Sequence, residues 1–465
     1  MSATNDLGND TRAIERYVET EMKRLGIPGL ALGIVRQSQI YHLQGFGVAD
    51  SAGRCVTPDT PFHIGSLTKS FTALAIMQLV EAGQIELDMP VQAYLPWFTL
   101  SDADAAARLT VRHLLNQSSG LSETDGNCLW TSTVGMEEAV RQMRTLRLCS
   151  PVGTKYQYCN LNYVVLGLLV EQVSGQAYGE YVSEHIFKPL GMDHSYTSHT
   201  EAREHDLAAG HYYALGRAYP REGIFPPAYL PTGLLISSAE DLSHYVIAQL
   251  NAGRFGNVSV LSSQGMAELH APAVPMMPTN TRPQNSYAMG WAIGPLDGVT
   301  TIRHSGDIGV SHGEIMFQPA SGWGVILLAN VSGFEQLMQI SDMAKGVLSL
   351  LNGHSPPGPV SLPVAFRGLY WGIPLTLVLQ IFGIVAGLIS WQSGFVSPPW
   401  QVVATIVLNL AIALLCLFKL PGLIPFPLAS LRAFYPEVGY ALIAGATLGV
   451  GWSVVYAGLN LLRVG

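Results

Sequence analysis

From Gly368 to Gly465 the chain carries charge only at Lys419, Arg432, Glu437 and Arg463. Within that stretch lie three apolar runs, 369–390, 400–418 and 438–462, each long enough to cross the roughly 30 Å of hydrocarbon in a bilayer. One such run would equally suit a buried core helix. Three in succession with so little charge read as membrane spans. Trp371, Trp391, Trp400, Phe434 and Tyr435 fall near their ends, where interfacial aromatics sit. Gly383–Gly387 and Gly445–Gly449 give two G-x-x-x-G spacings, which permit close helix contact but are common in such spans.

The sequence therefore divides into a water-facing domain at 1–351, a linker at 352–367 whose first part is rich in Pro, Gly and Ser, and a membrane domain at 368–465. Residues 1–367 hold 22 Lys and Arg against 32 Asp and Glu. So acidic a domain offers nucleic acid no electrostatic footing, and it has no basic run for anionic lipid. The five cysteines, Cys55, Cys128, Cys149, Cys159 and Cys416, have irregular spacing, which argues against a disulfide framework or a zinc site. Cys128 and Cys149 bracket one helical segment and would be able to pair in an exported domain; two free buried thiols is the plainer alternative. No basic and apolar leader of the signal-peptide kind is visible at the start. Near the spans, Arg367, Lys419 and Arg432 stand on one side against Arg463 on the other, a count that points the large domain toward the cytoplasm.

Within the water-facing part, Ile14, Val18, Met22 and Leu25 mark an amphipathic N-terminal helix. Residues 29–35 and 40–47 read as a β-hairpin. A hydrophobic helix follows at 66–82, with further helices near 111–115, 136–146, 162–174 and 239–251. Strand character returns at 287–293, 300–304, 313–318 and 324–329, before an amphipathic helix at 334–351. Strands at both ends with helices between predict an α+β fold: one antiparallel sheet closed by the two chain halves and flanked by helices, with an all-helical lobe facing it across a cleft.

Three short motifs fall in order along this domain. Ser66-Leu67-Thr68-Lys69 follows Gly65 and opens an apolar helix, so Ser66 sits where free N–H groups and the helix dipole favour developing negative charge. Lys69 is one turn on, on the same face. An ammonium in an apolar cleft is costly to desolvate, so its pKa should fall and it should serve as base. Tyr158-Cys159-Asn160 is expected on a loop at the mouth of the helical lobe, where a phenol near a cation would lose its proton more easily and relay it. Asn160 is expected to hold a substrate amide and help fix Lys69. His304-Ser305-Gly306 ends a strand-like run: Gly306 lets a substrate backbone come close, His304 lines the cleft, and the Asp307 amide joins that of Ser66 as an oxyanion hole. His63, His113 and His312 lack metal-site spacing, and no metal or other cofactor is called for, because nucleophile, base and oxyanion donors are all protein groups.

As a set, these motifs resemble the serine β-lactamase and penicillin-binding-protein superfamily, particularly its branch of class C β-lactamases, DD-carboxypeptidases, D-aminopeptidases and related esterases. The likeness covers roughly residues 10–350, with Tyr158-Cys159-Asn160 in place of S-D-N and His304-Ser305-Gly306 in place of K-T-G. It implies Ser66 as the acylated nucleophile, Lys69 and Tyr158 as the proton-handling pair, and Asn160 and His304 on the substrate side. The hydrolase domain followed by three spans is similar to the membrane-anchored prodrug-maturing peptidases of the colibactin type, which implies an extracytoplasmic catalytic domain. The sequence departs from that pattern at Asn160, where a serine is expected, and in showing no leader.

The expected activity is a membrane-anchored serine hydrolase that opens an amide or ester through an acyl-enzyme, with a peptide bond next to a D-residue as the leading substrate. An esterase or a β-lactamase on the same fold is the alternative. A β-lactam-sensing receptor is a third reading, though it needs an effector, and only Arg463-Val464-Gly465 follow the last span. The small peptide, amide or ester is the expected partner in the cleft. The spans would meet membrane lipid, and would serve as an anchor, as a surface for lipophilic substrates, or as a contact for a membrane partner such as a transporter.

Overall fold

The computed structural model describes the chain except residues 1–2, 215, 278–284, 334–335, 359–363, 396, 421–427 and 465. The linker expected at 352–367 therefore lies partly outside the described residues, as does the start of the helix expected at 334. The chain forms two compact units, Met1–Val360 and Ser361–Gly465.

In the first unit the hairpin is β1 (Gly29–Arg36) and β2 (Gln39–Gly47), turning through Gln37 in the left-handed region at φ 54°. The later strands are β3 (Val274–Pro275), β4 (Ser286–Tyr287), β5 (Ala292–Leu296), β6 (Val299–Asp307), β7 (His312–Gln318) and β8 (Trp323–Ala329). They join in one antiparallel sheet of order β2-β1-β8-β7-β6-β5-β4-β3. Leu30 stands opposite Ala329 and Arg36 opposite Trp323, so the first and last parts of the domain close the sheet side by side, as expected. The run expected at 287–293 is instead β4 and β5, because Gly290 turns the chain at φ 79° between them.

Period-2 and period-3.6 patterns meet on one face of this sheet. Leu30, Leu32 and Ile34 of β1 and Val325, Leu327 and Ala329 of β8 pack with Ile14, Val18, Met22 and Leu25 of α1 (Ala3–Leu25). Val347 and Leu348 of the last helix of the unit, Gln336–Leu351, complete that layer. Each such side chain contributes about 1.5–3 kcal/mol through its burial, and truncating a fully buried one such as Leu32 to alanine costs roughly 2–5 kcal/mol. Helix Ala239–Leu250 covers the other face, close enough at Gly33 that a Cβ there would fall 2.7 Å from Ser243 Oγ.

Between β2 and β3 the chain builds the helical lobe. Its centre is α2 (Thr68–Glu81), buried on every side from Thr68 to Met77, against α3 (Asn160–Ser174). A helix apolar all round is a core helix, and it carries the catalytic-type motif into the interior.

Among the described residues of the second unit, three helices are long and apolar enough to span a membrane, with candidate spans Trp371–Gln392, Pro399–Lys419 and Pro436–Leu462.

Candidate active site

Two glycines let the start of α2 approach the end of β6. β5 begins at Ala292, opposite Arg303, so from His304 onward that edge of β6 is free to face the turn Gly65–Leu67. Gly65 has φ +56°, and a Cβ on it would lie 2.4 Å from the Asp307 amide nitrogen; one on Gly306 would lie 2.0 Å from the Ile64 carbonyl oxygen. Only glycine fits either place. The Ser66 and Asp307 amides are thereby gathered at one edge of the cleft.

Ser66 Oγ lies between the two predicted partners. Lys69 Nζ is 3.0 Å away, and the Tyr158 hydroxyl donates to Ser66 Oγ at 2.8 Å. Lys69 is fully buried and donates to the Thr232 carbonyl at 2.7 Å. Burial drives its pKa well below the usual lysine value, against the opposing pull of Cys159 and Glu123. A neutral amine then donates to Thr232 and turns its lone pair on the serine proton.

Tyr158 is held by a neighbour that the sequence does not advertise. Gln117, buried and at φ 55°, accepts from Gln157 N with its carbonyl at 2.8 Å and from Cys159 N with Oε1 at 2.9 Å, bracketing the tyrosine. Its Oε1 also accepts from Asn162 Nδ2 at 2.6 Å at the start of α3.

Two expectations change. The motif predicts an easily ionised Tyr158; burial instead pushes its phenol well above its ordinary value, although the bond to Ser66 opposes this. The same burial lowers the Lys69 pKa, which weakens the cation that would have lowered the phenol's. Asn160 does not steady Lys69, because its side chain donates to Asn127 Oδ1 at 2.9 Å and Thr232 takes the lysine. Cys128 and Cys149 are free, the plainer of the two alternatives, but both are exposed and not buried.

His304 is buried, with Nδ1 2.6 Å from the Ser305 carbonyl and Nε2 3.2 Å from the Tyr287 hydroxyl. The carbonyl only accepts, which puts the proton on Nδ1 and leaves Nε2 to accept from Tyr287. Burial and then Lys69 bring its pKa down to about 3, so the imidazole is neutral. Its ring centroid is 6.5 Å from that of Tyr158.

Thr232, Gln117 and Glu123 are site residues that sequence reasoning missed. Thr232 acts through a backbone carbonyl, which any residue would supply. Glu123 follows Ser122, whose capping box with Asp125 signals only a helix start. Burial raises the Glu123 carboxyl to about 7, with Lys69 opposing. Among the described residues no group of three or more His, Cys, Asp or Glu side chains is placed to hold a metal.

The sheet, the helical lobe and the serine contact define a class, and residues 14–346 match the Beta-lactamase family: the chain belongs to it. Among its relatives is penicillin-binding protein 4 of Amycolatopsis lactamdurans, 29% identical over 351 residues that cover 73% of this chain and 90% of that one. Protein flp of Staphylococcus aureus strain MW2 is 27% identical over 336 residues, 70% of this chain; the match spans only 64% of the staphylococcal protein's length. The octameric penicillin-binding protein homologue from Pyrococcus abyssi shares the fold, with a TM-score of 0.66 and 30% identity over 76% of this chain and 79% of that one.

Proposed function

We propose that this protein is a membrane-anchored serine hydrolase that opens an amide or ester through an acyl-enzyme on Ser66, chiefly a peptide bond next to a D-residue. The observation that carries the reading is the continuous contact from Tyr158 OH through Ser66 Oγ to Lys69 Nζ, at 2.8 and 3.0 Å.

As Ser66 Oγ bonds to the substrate carbonyl carbon, its proton passes to the Lys69 lone pair, and the carbonyl π electrons move onto the oxygen facing the Ser66 and Asp307 amides. Collapse of that intermediate breaks the C–N or C–O bond. The leaving group takes the Tyr158 proton, and the Lys69 ammonium restores it through the cleft. Water then attacks the ester by the same proton path and frees Ser66.

The neutral imidazole of His304 bears on the substrate. It offers no cation to a terminal carboxylate, which supports substrates capped at that end over free carboxy-terminal peptides. Asn160 and Gly306 would line the path of the substrate backbone.

A fluorophosphonate should label the wild type at Ser66 and leave Ser66→Ala unlabelled; equal labelling of both would overturn the proposal. Rates with D-alanyl peptides, a p-nitrophenyl ester and nitrocefin then separate peptidase, esterase and β-lactamase. We place the catalytic unit outside the cytoplasm. An impermeant maleimide applied to intact cells should modify the exposed Cys55, Cys128 and Cys149; labelling only after permeabilisation reverses the orientation.

A further inference from the structure

Gln117 is a glutamine at a place where the backbone favours glycine. Its φ of 55° lies in the left-handed region, which a residue with a Cβ enters at a cost, and it is fully buried. Strain of this kind persists where the surroundings hold it, and it clusters at functional sites. Glycine would sit there without strain, so what the carboxamide contributes has to offset that cost.

Backbone bonds already dock the segment that carries Tyr158. The carbonyls of Gly120, Ser118 and Gln117 accept in turn from Cys149 N at 2.7 Å, Gly153 N at 2.8 Å and Gln157 N at 2.8 Å. None of these bonds needs a particular side chain at 117. The carboxamide adds the far side of the tyrosine: its Oε1 accepts from Cys159 N at 2.9 Å and from Asn162 Nδ2 at 2.6 Å. A backbone amide only donates, which fixes the oxygen of the carboxamide, not its nitrogen, as the atom facing Cys159. The amides of both neighbours of Tyr158 are thus held by one residue, and from between them the phenol reaches Ser66 Oγ at 2.8 Å. Among the described residues Gln117 makes no hydrogen bond to Ser66, Lys69 or the Tyr158 hydroxyl, so whatever it does for the reaction it does through the tyrosine.

The geometry points to Gln117 as a positioning residue for departure of the leaving group: its carboxamide sets the phenol for the step in which the scissile bond breaks. The inference rests on the acyl-enzyme reading above. In that step the electron pair of the C–O or C–N bond moves onto the leaving atom, which takes the Tyr158 proton, and the Lys69 ammonium restores the phenol. A weakly basic leaving group departs as its anion and needs no proton, whereas a strongly basic one depends on it. Proton transfer also tolerates little misplacement, because the donor has to be within hydrogen-bond reach of the leaving atom. Loss of the carboxamide should therefore be felt in proportion to the basicity of the leaving group.

The test uses the full chain in phosphatidylcholine nanodiscs and three esters of N-acetyl-D-alanine, p-nitrophenyl, phenyl and trifluoroethyl, whose leaving groups rise in basicity in that order. The readout is kcat/KM, which reports acylation. Gln117→Gly takes φ 55° without strain and keeps the three carbonyl bonds. It should lose about threefold with the p-nitrophenyl ester and about thirtyfold with the trifluoroethyl ester, against the roughly 10²–10⁴ that general acid catalysis contributes in full. Gln117→Glu keeps an accepting oxygen for Cys159 N and Asn162, and should bring the trifluoroethyl rate back to within about fivefold of wild type. In a Tyr158→Phe background, adding Gln117→Gly should cost no more than about twofold, because the two changes remove one effect. A partly unfolded variant lowers all three esters by a single factor, so the ratio between esters separates positioning from folding. Equal loss on all three esters, no loss on any, no rescue by glutamate, or an undiminished further loss in the Tyr158→Phe background would overturn the inference. Failure of the acyl-enzyme reading looks different: the wild type would then turn over the p-nitrophenyl ester no faster than Ser66→Ala.

Discussion

Lys69 in the cleft and Gln380 in the spans are both polar groups held away from water, and burial has different consequences for them. Lys69 answers burial by giving up its charge, which leaves a lone pair 3.0 Å from the serine. Gln380 has no charge to surrender, so what it keeps is an unpaired hydrogen-bonding atom. In the first place burial makes reactivity, and in the second it leaves a hydrogen-bonding atom unspent. His312 is a third outcome. It is fully buried yet retains its proton, because its Nε2 lies 2.9 Å from Glu314 Oε1 and its Nδ1 3.7 Å from Asp307 Oδ2.

The largest effect expected is at Lys69. Lys69→Met should lower kcat/KM by roughly 10²–10⁴, the scale of general-base catalysis, and Lys69→Arg should be as inactive because a guanidinium cannot take the proton. Activity should fall as pH drops through the depressed lysine pKa, with no alkaline loss from Tyr158, whose phenol stays protonated. An arginine variant of near wild-type rate would show that charge, not a lone pair, is what the cleft needs.

His312 sharpens the contrast from the side of stability. Burial alone would lower its pKa, but Asp307 and Glu314 raise it to about 9. A folded pKa above the unfolded value, about 6.5, contributes stability that is full below pH 6.5 and lost as pH rises through 9. His312→Asn should cost roughly 3 kcal/mol at pH 6 by leaving two carboxylates facing each other, and should remove the pH dependence above pH 6.5. Denaturant unfolding of both proteins at pH 6 and pH 9.5 measures this. Asp307 also accepts from Gly309 N at 2.8 Å and from Ser332 Oγ, so the same variant reports on the strand end that carries an oxyanion amide.

How much of this is legible in the sequence depends on whether a side chain or the backbone does the work. The hairpin, the sheet closure and the amphipathic outer helices follow from apolar periodicity, and Ser66, Lys69 and Tyr158 stand out because their side-chain chemistry is itself the signal. Thr232 leaves no trace, since it acts through its carbonyl. Gln117 is equally silent: a left-handed glutamine that brackets the tyrosine loop is a property of the fold, not of a motif. The protonation state of Tyr158 escapes a reading of the motif because charge depends on burial, which spacing along the chain does not report.

Glu123 should show a smaller effect. Its carboxyl is raised to about 7, and its negative charge raises the Lys69 pKa. In Glu123→Gln the inflection near pH 7 in kcat/KM should vanish, and the acid limb should move to lower pH as Lys69 loses that support. The rate on the plateau should change by less than about tenfold, because Glu123 touches neither Ser66 Oγ nor Tyr158 OH in the proton path. A pH profile identical to wild type would mean the carboxyl does not sense the cleft.

The smallest effect belongs to Asn409. Its bond to Ser453 joins two spans, and such bonds are worth on average about 0.6 kcal/mol, because an opened helix in lipid finds other partners. Asn409→Leu should therefore lower the unfolding free energy of the spans in bilayer by no more than about 1–2 kcal/mol, measured by steric trapping, while Lys69→Met removes most of the activity. A loss above about 3 kcal/mol would make Asn409 a structural tie and break the contrast between the two regions. A small loss leaves the carboxamide's place near the middle of its helix unexplained by stability, since leucine would pack there at less desolvation cost.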